Sequence, residues 1–71
     1  MEKVEFDVAC FDRSLILFVK ENEKDAAIAV LNFAYDFWCE YPNLVGDKCC
    51  EEYMLEVLKS HEIEYEVISY E

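Results

Sequence analysis

The run Leu15-Ile16-Leu17-Phe18-Val19 decides the fold of this 71-residue chain. A strand with one buried face alternates apolar and polar residues, whereas an unbroken apolar run is typical of a central strand covered on both faces. Five residues are too few for the core of a secretion signal or for a membrane span. The run therefore predicts the middle strand of a sheet.

A second strand precedes this run. Val4, Phe6, Val8 and Cys10 alternate with polar or small residues, the period of two that indicates a strand with one buried face. Turn-forming residues at 12–14 then separate the two apolar segments. Because this connection is short, the two strands are expected to form an antiparallel hairpin.

Two helices are expected after the hairpin. The first runs from about Glu23 to about Cys39 or Glu40, with Asn22 as a possible N-cap. Residues 41–46 contain the only proline and the only glycine and break the pattern. The second helix follows Asp47, a possible cap, and ends near residue 60 or 61. Its expected inner stripe is Cys50, Met54, Val57, Leu58 and His61, and its expected water-facing residues are Glu51, Glu52, Glu56 and Lys59.

A last strand completes the pattern, because Ile63, Tyr65 and Val67 alternate with Glu64 and Glu66. Beyond it, Ile68 and Tyr70 are expected to shift the apolar positions to the other face. Two consecutive helices with a short link return the chain antiparallel to the second strand. The sequence thus predicts one α+β domain over residues 1–71, a three-stranded antiparallel sheet (β-β-α-α-β) with two helices packed on one face.

The charge of the chain indicates the kind of partner. Seventeen acidic residues against six basic ones give a formal net charge of −11, although 55% of the residues are hydrophobic. This combination predicts a folded, strongly anionic domain. Such a domain repels nucleic acid and anionic membranes, so neither is an expected partner. A basic surface of a nucleic-acid-binding protein or nuclease is the expected one.

Two acidic clusters are candidate partner-binding sites. On the face of the sheet away from the helices, acids on the two edge strands would flank either Ile16 and Phe18 or the other set of central-strand residues, Leu15, Leu17 and Val19. These edge acids are Glu5, Asp7, Glu64 and Glu66. The second cluster, at the second helix, is Asp47, Glu51, Glu52 and Glu56. The plainer interpretation is that both sets only solvate a sheet and a helix.

The first helix carries more apolar residues than one core contact requires. Val30, Phe33, Phe37 and Trp38 are the candidate oligomer interface, through which two copies could form a homodimer. The alternative is that the second helix and the loop at 41–46 cover the excess.

No sequence motif indicates catalysis or a cofactor. Cys39, Cys49, Cys50 and His61 have zinc-binding side chains but lack a C-x-x-C pair, and the single glycine excludes Gly-rich phosphate loops. We therefore expect no enzyme activity, no metal and no cofactor. The four cysteines are expected to be free and mostly buried thiols in a reducing cytoplasm.

Two functions are consistent with these features. The first is a small acidic protein that inhibits a nucleic-acid-handling protein by mimicking phosphate charge. In overall character, though not in any motif, the chain resembles phage-encoded inhibitors of host defence nucleases such as anti-CRISPR proteins, and this resemblance assigns no residue roles. The second is a homodimeric structural or regulatory interaction module whose acidity serves mainly solubility.

Overall fold

The computed structural model describes residues 1–8, 13–46 and 48–70. Along the chain lie β1 (Glu2–Val8), β2 (Arg13–Val19), α1 (Lys24–Glu40), α2 (Pro42–Val45), α3 (Cys50–Ser60) and β3 (Tyr65–Tyr70). The three strands form one antiparallel sheet in the order β1-β2-β3. The predicted α+β fold with its β-β-α-α-β layout is confirmed, and the short helix α2 is an addition to it.

The central strand β2 has one covered face and one open face. Leu15, Leu17 and Val19 are fully buried beneath the helices, whereas Ile16 and Phe18 on the outer side are only half-buried. The expectation that β2 is covered on both faces is therefore wrong. Its physical reason is that both long helices contribute to the same core, so no element remains to cover the other side.

The core lies between the sheet and the two long helices. The helices α1 and α3 pack against each other, and α1 also packs against β1. α1 buries Ala27, Leu31 and Ala34, and α3 buries Cys50, Met54 and Leu58. Both sets have the three- or four-residue spacing of one helical face. Among the described residues, no helix has the length and apolar character needed to cross a bilayer.

The helix ends differ from the sequence-based expectations. A 3-10 turn at Glu21–Glu23 includes Asn22, so Glu23 rather than Asn22 is the residue before α1, and its side chain makes no capping hydrogen bond. Cys49 precedes α3, and Asp47 lies outside the described residues, as does Cys10. His61, expected on the inner stripe, is exposed where α3 ends, with Nδ1 2.9 Å from the carbonyl oxygen of Val57.

The end of β3 contains a bulge. Leu17 pairs with Val67, but Ile16 pairs with Ser69, so Ile68 is the extra residue on β3. Ile68 is exposed, as expected from its position after Val67. Beyond the bulge the backbone of Tyr70 pairs with that of Leu15, and the predicted placement of the Tyr70 side chain lies outside what the structure describes.

Leu17→Ala should strongly destabilise the domain, because the residue is completely buried at the centre of the sheet. We expect a loss of about 2 to 5 kcal/mol, out of a total stability of roughly 5 to 10 kcal/mol for a chain of this size. Urea unfolding followed by circular dichroism measures the loss. Ile16→Ala, on the same strand but half-buried, is the control and should cost about 1 kcal/mol. Equal losses for the two variants would contradict the assignment of the inner and outer faces.

Candidate functional site

The acids predicted on the sheet lie on its outer side, with one exception. Glu5 and Asp7 are exposed on β1, and Glu66 on β3 is exposed beside Phe18. Glu64 lies just before β3, where its carboxylate is 3.1 Å from the ammonium of Lys20. Ile16 and Phe18, rather than Leu15, Leu17 and Val19, form the apolar stripe between the edges.

Within the described part of the chain, ion pairs engage four lysines. Lys3 lies 3.1 Å from Glu5 and Lys24 lies 3.8 Å from Glu2. The other two pairs are Lys20 with Glu64 and Lys48 with Glu56. All eight side chains are 41 to 72% exposed, so each pair contributes little to stability. These pairs lower the local charge at four acids and leave the excess negative charge elsewhere.

Two of these pairs also hold their lysines charged. A hydrogen bond from Lys20 to Glu64, reinforced by the charge of that carboxylate, raises the pKa of Lys20 above its ordinary value. The hydrogen bond to Glu56 likewise raises the pKa of Lys48. Both lysines therefore stay protonated throughout the neutral range, and both pairs persist there.

The acids of α3 separate into two environments. Glu52 and Glu56 are exposed, as expected, but Glu51 is only 3% exposed. The expectation that Glu51 faces water is therefore wrong. It lies on the side of α3 that carries Leu55, one turn further on, and that is near Tyr65 at the start of β3. Among the described residues, no buried side-chain oxygen or nitrogen lacks a hydrogen-bond partner, so this burial leaves no polar atom unsatisfied.

A cleft of about 600 Å³ runs between α3 and the start of β3. Its apolar part is formed by Leu55 and Tyr65, which are both half-buried. A shallower depression adjoins it, and the two share Lys59 and Tyr65. We call the two together the α3–β3 cleft; its charged lining consists of Lys59 and six glutamates, Glu51, Glu52, Glu56, Glu62, Glu64 and Glu66.

This cleft joins residues that the sequence placed in separate clusters. The helix acids and Glu64 and Glu66 lie along one surface because α3 and β3 are connected by only four residues. Glu62, which the sequence analysis missed, lies in that connection. Its position between the end of the helix and the first strand residue was the available signal. Glu5 and Asp7, on the opposite edge strand, are not part of the cleft lining.

The cleft has the chemistry to accept a lysine or arginine side chain. The aliphatic part of such a side chain can pack on Leu55 and Tyr65 while its charged end meets the carboxylates. Glu52, Glu62 and Glu66 are the exposed acids of the lining that make no ion pair within the described part of the chain. Cys49 lies at the rim, with Sγ 3.9 Å from a carboxylate oxygen of Glu52.

The thiols do not form a metal site in the described part of the chain. Cys39, Cys49 and Cys50 are reduced thiols, and within residues 1–8, 13–46 and 48–70 no group of three or more potential ligands could hold an ion. Cys39 and Cys49 are exposed, contrary to the expectation that the thiols are mostly buried, and only Cys50 lies in the core.

The candidate oligomer interface on α1 is partly covered. Val30 is half-buried against the core, and Trp38 is half-buried with its indole N–H donated to the carbonyl oxygen of Lys48 at 3.0 Å. Trp38 therefore anchors the segment that leads into α3. Phe33 is 62% exposed, and its ring is stacked on Phe37 at 6.2 Å.

The exposed part of this region continues into two tyrosines that the sequence analysis did not include. The ring of Phe37 lies 5.1 Å from that of Tyr41 and 6.1 Å from that of Tyr53 on α3. We call Phe33, Phe37, Tyr41 and Tyr53 the aromatic row. Acidic residues border it, because Asp36 and Glu40 follow Phe33 and Phe37 by three residues on α1, and Glu52 and Glu56 neighbour Tyr53 on α3.

Trp38→Phe should lower the free energy of unfolding by about 1 kcal/mol, because phenylalanine keeps an aromatic ring at this position but lacks the indole N–H that donates to the carbonyl oxygen of Lys48. Urea unfolding followed by circular dichroism is the measurement. Phe33→Ser serves as the comparison and should cost less, since this ring is mostly exposed. A Trp38→Phe variant as stable as the wild type would show that Trp38 does not anchor the segment.

Salt should stabilise the fold, because a net charge of −11 on so small a domain opposes compaction. Raising NaCl from about 0.01 M to about 1 M shortens the screening length from about 30 Å to about 3 Å. We expect the urea midpoint to increase over this range. A midpoint that falls with salt would mean that the four ion pairs outweigh the self-repulsion.

No protein-family model, curated protein or solved structure matches this chain. Function must therefore be inferred from its own surfaces. These are the α3–β3 cleft, the aromatic row and the open outer face of the sheet.

Proposed function

We propose that this chain is a small acidic, non-enzymatic protein that binds and inhibits a nucleic-acid-handling protein by occupying its basic surface. The observation that carries the proposal is the lining of the α3–β3 cleft, in which six glutamates face one lysine. A surface that binds phosphates presents lysine and arginine side chains. The cleft offers carboxylates for their charged ends and an apolar floor for their stems.

The cleft is a better candidate than the outer face of the sheet for binding the basic surface of the partner. On that face Glu5 is already engaged by Lys3, and Asp7 lies near the end of β1. In the cleft, Glu52 and Glu62 are exposed and are joined by Glu66 in the adjoining depression. Carboxylates that are not engaged by the chain's own lysines can contribute fully to a partner's basic groove.

Long-range attraction would support the same function. A net charge of −11 accelerates encounter with a basic partner and repels competing nucleic acid and anionic membranes. The inhibitor would compete with phosphate for the same basic residues, so binding and inhibition would both weaken as salt increases. We place this activity in a reducing cytoplasm, where exposed thiols such as Cys39 and Cys49 persist.

We retain a homodimeric interaction module as the second candidate function. The observation that favours it is the aromatic row, whose Phe33 is 62% exposed. Under this candidate, truncation of Phe33 or Phe37 would abolish association and the cleft acids would be dispensable.

Reversing charge in the cleft should abolish partner binding. In Glu52→Lys/Glu62→Lys the two exchanged residues are exposed and form no ion pair within the described residues, so the fold is kept. The tagged protein is used to capture proteins from lysate, with elution in steps of increasing salt. We expect a nucleic-acid-binding protein that is released by salt, displaced by added DNA or RNA, and at least tenfold depleted with the variant.

The matched control is Asp25→Lys/Asp36→Lys, on the exposed side of α1 and outside the cleft lining. Both double variants raise the formal net charge by four, from −11 to −7, so only the position of the change differs. Equal loss in the two variants would assign binding to net charge rather than to the cleft. Capture that is unaffected by salt and by both variants would overturn the proposal.

A further inference from the structure

The outer face of the sheet, on the side away from the helices, is not covered by any element in the described part of the chain. Ile16 and Phe18 on β2 are half-buried, Ile68 on the β3 bulge is 48% exposed and Met1 is 68% exposed. All other large side chains of β2 that are described lie in the core. An antiparallel sheet can expose one face to water, but that face is then normally polar. Here its centre is apolar.

The charges on this face have a particular arrangement. In the sheet register, Phe18 pairs with Lys3 on one side and with Glu66 on the other. A cation and an anion therefore lie at the same height on opposite edges of the sheet, with the phenyl ring between them. Lys3, which also lies 3.1 Å from Glu5, is the basic residue that pairs with Phe18 in the register. Lys20 lies just beyond the end of β2 and contacts Glu64 at 3.1 Å.

We propose that this outer face binds a second copy of the same chain in a two-fold symmetric dimer. A two-fold axis running parallel to β2, midway between the two sheets, superposes the β1 edge of one copy on the β3 edge of the other. This places Lys3 of each copy over Glu66 of the second copy and Phe18 against Phe18. Glu5 then lies over position 69 of the second copy, a serine that pairs with Ile16 in the sheet register, and not over another acid.

Self-complementarity favours a second copy here and disfavours it at the aromatic row. A two-fold interface must match its own charges. The aromatic row is bordered by Asp36, Glu40, Glu52 and Glu56, of which only Glu56 has a lysine, Lys48, so two such rows would bring acids together. On the outer sheet face the two-fold axis instead brings a positive residue, Lys3, over a negative one, Glu66 of the second copy.

The size of the face sets the strength of the association. Three strands about 4.8 Å apart and about six residues long cover roughly 14 Å by 20 Å. Two such sheets pack face to face at about 10 Å. This footprint of about 280 Å² is well below the roughly 800 Å² per partner of a standard interface, so we expect a weak, reversible dimer.

Exchange of the two charges tests the proposal. Sedimentation equilibrium of the full chain, from about 1 to 300 µM in 0.15 M NaCl, should show a monomer–dimer equilibrium. Lys3→Glu and Glu66→Lys should each weaken the dimer about tenfold, because each creates two like-charge contacts per dimer. The double variant Lys3→Glu/Glu66→Lys restores opposite charges and should return the dissociation constant to within about threefold of wild type.

Net charge alone gives a different pattern, which makes the test decisive. Lys3→Glu moves the formal net charge from −11 to −13, whereas Glu66→Lys moves it to −9. A general repulsion would therefore be relieved by Glu66→Lys and the dimer would become tighter. That result, or a double variant that remains weak, would overturn the proposed contact. Unchanged circular dichroism and urea midpoints exclude unfolding, since both positions are exposed.

Two further outcomes would also overturn the proposal. A wild-type chain that stays monomeric up to 300 µM has no dimer to explain. A dimer that is lost in Phe33→Ser but kept in Phe18→Ser would use the aromatic row instead. The proposal does not depend on the proposed function: Lys3→Glu leaves the cleft lining unchanged, and Glu66→Lys, which alters that lining, is judged here by sedimentation and not by partner capture.

Discussion

Burial of the inner face of β2 is the interaction on which the rest of this structure depends. Leu15, Leu17 and Val19 are completely buried against side chains from both long helices and both edge strands. A domain of this size buries only a limited apolar area and is marginally stable. Its net charge of −11 opposes the contacts that bring the elements together. Because both helices are needed on that one face, the outer face remains open. The open face is therefore a consequence of the core.

The placement of the few lysines decides where the negative charge is strongest. Lys3, Lys20, Lys24 and Lys48 each lie beside an acid, and these contacts are exposed and individually weak. Their effect is on the pattern of charge rather than on stability. Two of these pairs reduce the charge along β1 and at the start of α1, and the other two reduce it at Glu56 and Glu64 in the cleft. In the cleft, Glu52, Glu62 and Glu66 are the exposed acids without such a neighbour in the described residues.

The sequence predicted the fold because its signals were local. The apolar run at 15–19, the alternation at 63–67 and the break at 41–46 each depend on neighbouring residues, and they indicated the three strands, the two long helices and their order. What it could not predict was which side chains become buried when the elements pack. Glu51 has the same side chain as Glu52, and only the folded structure shows that the first is buried and the second is exposed.

The same limit applied to the surfaces. The bulge at Ile68 depends on pairing between residues 50 to 53 positions apart, so period-two alternation could not reveal the extra residue on β3. Trp38 was a plausible interface residue on a helical wheel, yet its N–H is donated to Lys48 across a turn whose geometry no periodicity describes. Glu62 escaped notice because it belongs to neither the helix nor the strand pattern.

The α3–β3 cleft and the proposed dimer face can be used at the same time, and together they would make the protein bivalent. The α3–β3 cleft opens at the β3 edge, and a two-fold axis along β2 sends the β3 edges of the two copies to opposite sides of the dimer. Glu66 would then be engaged by Lys3 of the second copy, leaving Glu52 and Glu62 as the exposed acids of each cleft. A dimer of this kind presents two clefts to a basic partner. A single partner molecule, or two adjacent copies of the partner, can contact both clefts of the dimer. The second cleft then binds at high effective concentration, which strengthens inhibition although each cleft makes the same contacts as before. A partner that reaches only one cleft gains nothing from the dimer.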